Sequence, residues 1–280
     1  MNGTVVSIVC CYYNACEVCR FAEELEKQDK HIDERIHLVI VVNAATEEDE
    51  AKLETLEKNP QLPVSIYRPD TNLGYLNGLI YGYSKYREEN GIPNYVFMSN
   101  TDIEIPSADF VSTVLSKNYS DDVWCIGPSI YAKYTNNYTN PTADRRRSLH
   151  EIDSLIRRFS TPVFNQLYVM ASGVKAKLVH KKKTESRYVY EVHGSFFILK
   201  GEFAEYLKSK QFGAFIYCEE AFLAENVYHN GKKIFYDSEI EIIHLEHSVT
   251  GLMKVKKTAS YLSSSMRYIK EEFYNGQSDK

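Results

Sequence analysis

The sequence lacks any run of the roughly 18–20 apolar residues that a membrane-spanning helix requires. It also lacks the basic, apolar, small-residue order of a secretory leader. Residues 5–9 are apolar, but Asn14, Glu17 and Arg20 follow too soon. These absences predict a cytoplasmic protein whose thiols stay reduced. Six cysteines are present, at 10, 11, 16, 19, 125 and 218, and Cys16 and Cys19 form a C-x-x-C. No second ligand pair stands at zinc-site spacing, so buried, inert thiols are the expectation. No internal repeat or low-complexity tract occurs. No Gly-Lys-Ser/Thr follows a glycine-rich loop and no G-x-G-x-x-G is present, which excludes a P-loop and a dinucleotide fingerprint. Zinc-finger and helix-turn-helix patterns are missing too, so nucleic acid is not an expected partner.

What the chain does have is length for one large α/β domain and a surplus of tyrosine, 22 in 280 residues. Its charge is uneven. Between Arg145 and Arg187 stand eleven basic and three acidic residues, a surplus of +8, so the remainder carries −13 of the overall −5. A basic segment on an acidic body suits an anionic partner such as a lipid surface or a lipid diphosphate. A solvated loop is the plain alternative.

The first hundred residues alternate strand and helix. VVSIVCC (5–11), HLVIVV (37–42), 64–67 and YVFMS (95–99) are apolar without a polar face, as in strands buried on both sides. Between them, Val18, Phe21, Ala22 and Leu25 share one helix face. Thr46 with Asp49 marks a helix start, and Leu76, Ile80 and Tyr83 share another face. This order predicts a mostly parallel sheet flanked by helices, with ligands at the carboxyl ends of its strands. Helices are expected over 107–117, 149–159, 202–210 and 219–229, and strands over 123–127 and within 188–199. KIFYD and EIEIIHL read as two short strands. Leu262, Met266, Ile269 and Phe273 define an amphipathic helix before Asn275-Gly276.

Several polar groups stand where such strands end. Asn100-Thr101-Asp102 follows YVFMS, and an acid there offers oxygen to Mg²⁺ or Mn²⁺; a turn is the alternative. Cys218-Glu219-Glu220 precedes a helix. Paired acids there favour the helix dipole or supply a general base. Asn72 to Gly78 begins a helix with two glycines, a place for a diphosphate. His193-Gly194-Ser195 opens one strand and His244 closes another.

Taken in order, SIVCCYYN, VVNAAT, RPDTNLGYLNG, FMSNTDI, VHGSFFILKGEF, YCEEAFLAENVYHNGKKIFYD and IIHLEHSVTG resemble family 2 glycosyltransferases of GT-A fold, with the rhamnosyltransferase-like or capsular-polysaccharide branch nearest in flavour. The resemblance covers most of 4–130 and 188–251. It implies a GT-A domain over 1–255, with a nucleotide-sugar half (1–130), a basic insertion (131–187) and an acceptor half (188–255), then a C-terminal amphipathic helix (256–280). By this resemblance Tyr13, Asn14, Asn43, Asn72, Gly74, Asn100, His193 and Gly194 line the nucleotide-sugar site. Asn43 stands where many relatives carry an Asp that reads the base. Asn100 and Asp102 match the metal-binding D-x-D, with Asn in the first place, and His244 completes the metal site in some relatives. Glu219-Glu220 matches the E-D pair, with Glu220 at the base.

The implied activity is inverting transfer of a hexose or deoxyhexose from a nucleotide diphosphate to a glycan or lipid-diphosphate-linked acceptor, using Mn²⁺ or Mg²⁺. Surface-polysaccharide synthesis at the inner face of a bacterial membrane is the implied setting, with the basic segment against anionic lipid. A catalytically degenerate nucleotide-sugar-binding module is the alternative, because the chain departs from the family at Asn43, Asn100 and Glu220.

Overall fold

The computed structural model describes residues 3–28, 36–58, 61–160, 181–246 and 255–275. Strand β1 (Val5–Tyr12), helix α1 (Ala15–Glu26), β2 (Ile36–Ala44), α2 (Glu47–Glu57), β3 (Val64–Tyr67), α3 (Tyr75–Asn90) and β4 (Tyr95–Ser99) alternate as the apolar pattern predicts. These four strands pair in parallel, in the order β3-β2-β1-β4. In β1, Val6 and Ile8 face one apolar layer, and Val5, Val9 and Cys11 face the other. A strand buried on both sides has no polar face to show, hence its continuous apolar run. Helix α1 covers the second layer with Val18, Phe21, Ala22 and Leu25. Thr46 and Asp49 form the reciprocal cap of α2. Helix α3 lies close on the first layer. At Gly82 a Cβ would meet Val41 at 2.7 Å and Ile8 at 2.9 Å, so only glycine lets the backbone settle there.

The second half of the chain changes direction. After β5 (Ile103–Glu104), α4 (Phe110–Ser116), β6 (Val123–Ala132), β7 (Asn137–Tyr138), α5 (Leu149–Ser160) and β8 (Arg187–Val189) comes β9 (Phe196–Lys200). Strand β9 lies between β4 and β6 and runs antiparallel to both. Then follow α6 (Gly201–Leu207), α7 (Glu219–His229), β10 (Lys233–His244) and α8 (Val255–Phe273). Strand β10 is parallel to β6 and antiparallel to β5 and β8.

The longer ladders are thus parallel, as expected, and the antiparallel pairings of β9, β5, β7 and β8 make the sheet mixed. FFILK is apolar on both faces, and that pattern carries no direction. KIFYD and EIEIIHL also form one strand. A register shift between Asp237 and Glu241 absorbs the break expected between them.

Among the described residues, the basic insertion is woven into the domain. Strand β7 pairs with β6, Ala143 bridges to Glu191, and Ile152 and Ile156 of α5 enter the main core. Helix α8 packs chiefly on α5, with Ile269 buried. Residues 161–180 and 247–254, where part of the basic segment and the HSVTG end of the last motif fall, lie outside the described residues. Among the described residues no helix is long and apolar enough to cross a membrane.

Candidate active site

The antiparallel entry of β9 creates the site. It sets the carboxyl end of β4 against the residues preceding β9, and Asn100 N–H donates to the Ser195 carbonyl at 2.8 Å. Two clusters meet there.

The first cluster is Asp102, His244 and His193. Asp102 is buried, and its carbonyl accepts the Leu245 N–H at 2.9 Å, which holds it beside the end of β10. Its Oδ2 lies 3.3 Å from His244 Nε2. That nitrogen is buried yet makes no hydrogen bond, so the two atoms are close without being aligned to share a proton. His193 stands 5.9 Å from the His244 ring. Its Nδ1 accepts the Ser195 N–H at 3.2 Å, which leaves its proton on Nε2. Burial, with the neighbouring His244 ring, lowers His193 to about 4 against a weaker pull from Asp102, so the ring is neutral at pH 7.

The second cluster is built on Gly194. Its N–H donates to Glu220 Oε1 at 3.1 Å, and its carbonyl accepts the Tyr75 hydroxyl at 3.1 Å. A Cβ at 194 would lie 2.5 Å from Glu220 Oε1, so glycine makes the room for this carboxylate. Glu220 is half-buried. Burial, then the Glu191 carboxylate, raises it above the ordinary carboxylate range. Glu219 is raised too, by burial and then by Glu220. Glu219 turns back on its own loop and accepts the Tyr217 N–H at 2.9 Å. That bond braces two successive residues with left-handed backbone, Tyr217 and Cys218, each at φ 69°.

The expected nucleotide-sugar residues ring the neighbouring strand ends. Tyr13 has φ 57° and an exposed ring set edge-on to Tyr12. Asn14 receives the Tyr12 N–H and donates to Thr101 Oγ1, both at 2.8 Å, so the end of β1 is tied to the residue before Asp102. Asn43 uses its whole amide on the loop ahead of α3: Nδ2 donates to the Gly74 carbonyl at 2.9 Å and Oδ1 accepts the Leu73 N–H at 3.1 Å. Asn72 Oδ1 accepts the Gly74 N–H at 2.9 Å. Asn43 and Asn72 thus shape the loop, and Gly74, at φ 78°, is its pivot.

Sequence patterns missed the supporting residues. Asn140 Oδ1 accepts the His193 N–H at 3.0 Å. Glu191, three residues before Gly194, is gripped by Arg147 at 2.7 and 3.2 Å and by Thr142 at 3.0 Å. Arg146 makes paired bonds to buried Glu225 and lies over the rings of Tyr228 and Tyr274. Arg145 pairs with Glu151. Each arginine of the Arg145–Arg147 run therefore has a carboxylate partner within the chain, with Arg145 still largely exposed. The only hint available was its high charge in a segment that also carries core-forming Ile152 and Ile156.

Among the described residues no group of three His, Cys, Asp or Glu side chains converges as a metal cage. The donor set nevertheless fits one cation. A buried imidazole nitrogen without a hydrogen bond faces a carboxylate, and a hard divalent ion takes its further oxygens from substrate phosphates.

The sheet order, the strand-end clusters and the flanking layers define the GT-A fold of nucleotide-diphospho-sugar transferases. Solved structures agree at low identity. The mannosyltransferase PcManGT from Pyrobaculum calidifontis, in complex with GDP-Man and Mn²⁺, superposes with TM-score 0.57 at 11% identity, over 100% of this chain and 77% of that one. Residues 1–349 of S. aureus TarS, with UDP-GlcNAc, give 0.62 at 13%, over 99% and 68%. GalNAc-T7 with UDP, GalNAc and Mn²⁺ gives 0.57 at 14%, over 98% of this chain and 50% of that one. No protein-family profile and no curated protein sequence matches the chain.

Proposed function

We propose that the protein is an inverting glycosyltransferase that moves a hexosyl or deoxyhexosyl group from a nucleotide diphosphate to a glycan or lipid-linked acceptor. The observation that carries this reading is Glu220. It is a half-buried carboxylate raised above its usual range and held by the N–H of Gly194, the residue next to His193 of the His193–His244–Asp102 cluster. A carboxylate raised toward neutrality is a better base for a hydroxyl than an ordinary one.

In this reading the acceptor O–H gives its proton to Glu220. The oxygen attacks the anomeric carbon from the face opposite the diphosphate. The bond to the diphosphate oxygen breaks, its electron pair leaves with the nucleotide, and the configuration inverts. Asp102 and His244 would hold Mn²⁺ or Mg²⁺, which supplies positive charge to the leaving diphosphate. Asn43, Asn72 and Gly74 fix the loop that meets the donor. Asn14 holds Thr101, and with it the approach to Asp102.

An open cavity of about 410 Å³, lined in part by Asn140, Thr142, Lys181, Lys182 and Arg187, supports a phosphate-bearing acceptor. Asn140 also binds the His193 N–H. A bacterial surface-polysaccharide role at the inner membrane face, of the rhamnosyltransferase-like kind, fits such an acceptor.

The test is release of nucleoside diphosphate from UDP-, dTDP- and GDP-sugars by the wild type and by Glu220→Gln. The variant should bind the donor as tightly as the wild type and turn it over at least about 100-fold more slowly. Full turnover by Glu220→Gln would remove Glu220 from the chemistry.

A further inference from the structure

The loop between α6 and α7 is pinned at both ends and in the middle. Asn77 of α3 grips Phe212 with its whole amide, donating to the carbonyl at 2.9 Å and accepting the N–H at 3.0 Å. Ser265 of α8 donates to the Ile216 carbonyl at 2.8 Å. Tyr217 N–H is held by Glu219. Between these points the Phe215 carbonyl rests on Gly74, where a Cβ would come within 2.2 Å of it.

This rigid frame displays an apolar ring to water. Phe215 is 43% exposed, and it is the one phenylalanine in the exposed class among the described residues. Its ring borders Gly74 and lies 5.9 Å from the Tyr261 ring of α8, with the planes 32° apart. A ring held on a fixed loop presents its open face to a ligand without the cost of ordering it on binding. Aromatic faces pack against the C–H faces of pyranose rings.

We propose that Phe215 and Tyr261 form a stacking platform for a sugar ring of the acceptor. The proposal rests on the transferase reading above. The acceptor is the better occupant because the same loop leads into Glu219-Glu220, and a general base must lie within hydrogen-bond reach of the acceptor hydroxyl.

The test uses the full chain and a panel of methyl glycopyranosides (gluco, galacto, manno, rhamno and N-acetylglucosamine forms) with Mn²⁺ and UDP, dTDP or GDP. Saturation-transfer NMR reads sugar binding, and calorimetry reads nucleotide binding. At least one glycoside should receive saturation from the wild type. Phe215→Ala should weaken that binding on the order of tenfold, Phe215→Tyr should keep it, and nucleotide affinity should be the same in all three. Unchanged glycoside binding in Phe215→Ala overturns the proposal, as does the lack of any bound glycoside with the wild type. A parallel loss of nucleotide affinity in Phe215→Ala places the ring in the donor subsite and overturns it too. If the wild type binds no nucleotide, the transferase reading itself falls, and the platform with it.

Discussion

Gly194 and Glu220 are matched to each other: the N–H of one holds the carboxylate of the other at 3.1 Å, in space that any Cβ at 194 would fill. Gly194→Ala should therefore displace Glu220 without unfolding the chain, since the clash is with the end of a flexible side chain. A shift of about 1 Å at a reacting group costs on the order of 100-fold in rate. The expected result is a loss of that size in kcat, with thermal unfolding little changed.

Tyr75 reaches the same glycine from α3, through its hydroxyl and the Gly194 carbonyl. Burial keeps its phenol protonated well beyond its ordinary range, so it remains a donor. Tyr75→Phe removes one hydrogen bond, worth about 0.5–1.5 kcal/mol. We expect kcat to fall about tenfold, with donor affinity nearly constant, and the acid limb of the pH–rate profile to move. Steady-state kinetics across pH reads both.

The Glu219–Glu220 pair sets a pH dependence whose sign is fixed. Both carboxyls are raised in the folded protein, so the folded state favours their protonated forms. Their contribution to stability is present below the unfolded carboxyl pKa and is lost as pH rises through the raised values. Glu219→Gln keeps an oxygen for the Tyr217 N–H and removes the charge. Its Tm should equal that of the wild type at low pH and exceed it at pH 8, by about 2–4 °C per kcal/mol relieved. In the same window the proposed mechanism uses ionised Glu220, so the rate should rise with pH over a range above that of ordinary carboxylates.

Arg146 and Glu225 form a buried pair that joins the start of the basic segment to α7 and to the end of α8, where Arg146 also donates to the Phe273 carbonyl. Arg146→Met leaves Glu225 charged and buried, a loss of about 3–5 kcal/mol. Adding Glu225→Gln should recover most of it. Denaturant unfolding of the single and double variants reads the difference.

Much of this was legible in the residues. Strands β1, β2 and β4 announce themselves by apolar runs, α1 by its spacing at Val18, Phe21, Ala22 and Leu25, and α7 spans the 219–229 expected of it. Direction was not legible: Phe196–Lys200 reads the same whether it runs with β4 or against it, and the site depends on its running against. Pairings across long stretches of chain were also hidden. Arg147 meets Glu191 44 residues on, and Arg146 meets Glu225 79 residues on, so two of the three arginines in a run that reads as a free cationic surface are paired inside the domain. Asn43 reads as a ligand contact because of its place at the end of β2, while its amide is engaged with Leu73 and Gly74.

The most direct measurement is calorimetric titration of UDP-, dTDP- and GDP-sugars into the wild type and Asp102→Ala, each with and without Mn²⁺. The account predicts that one nucleotide sugar binds the wild type, that Mn²⁺ strengthens this binding, and that the Mn²⁺ effect disappears in Asp102→Ala. Binding that ignores Mn²⁺, an Mn²⁺ effect that survives in Asp102→Ala, or no binding by the wild type across the panel would contradict it.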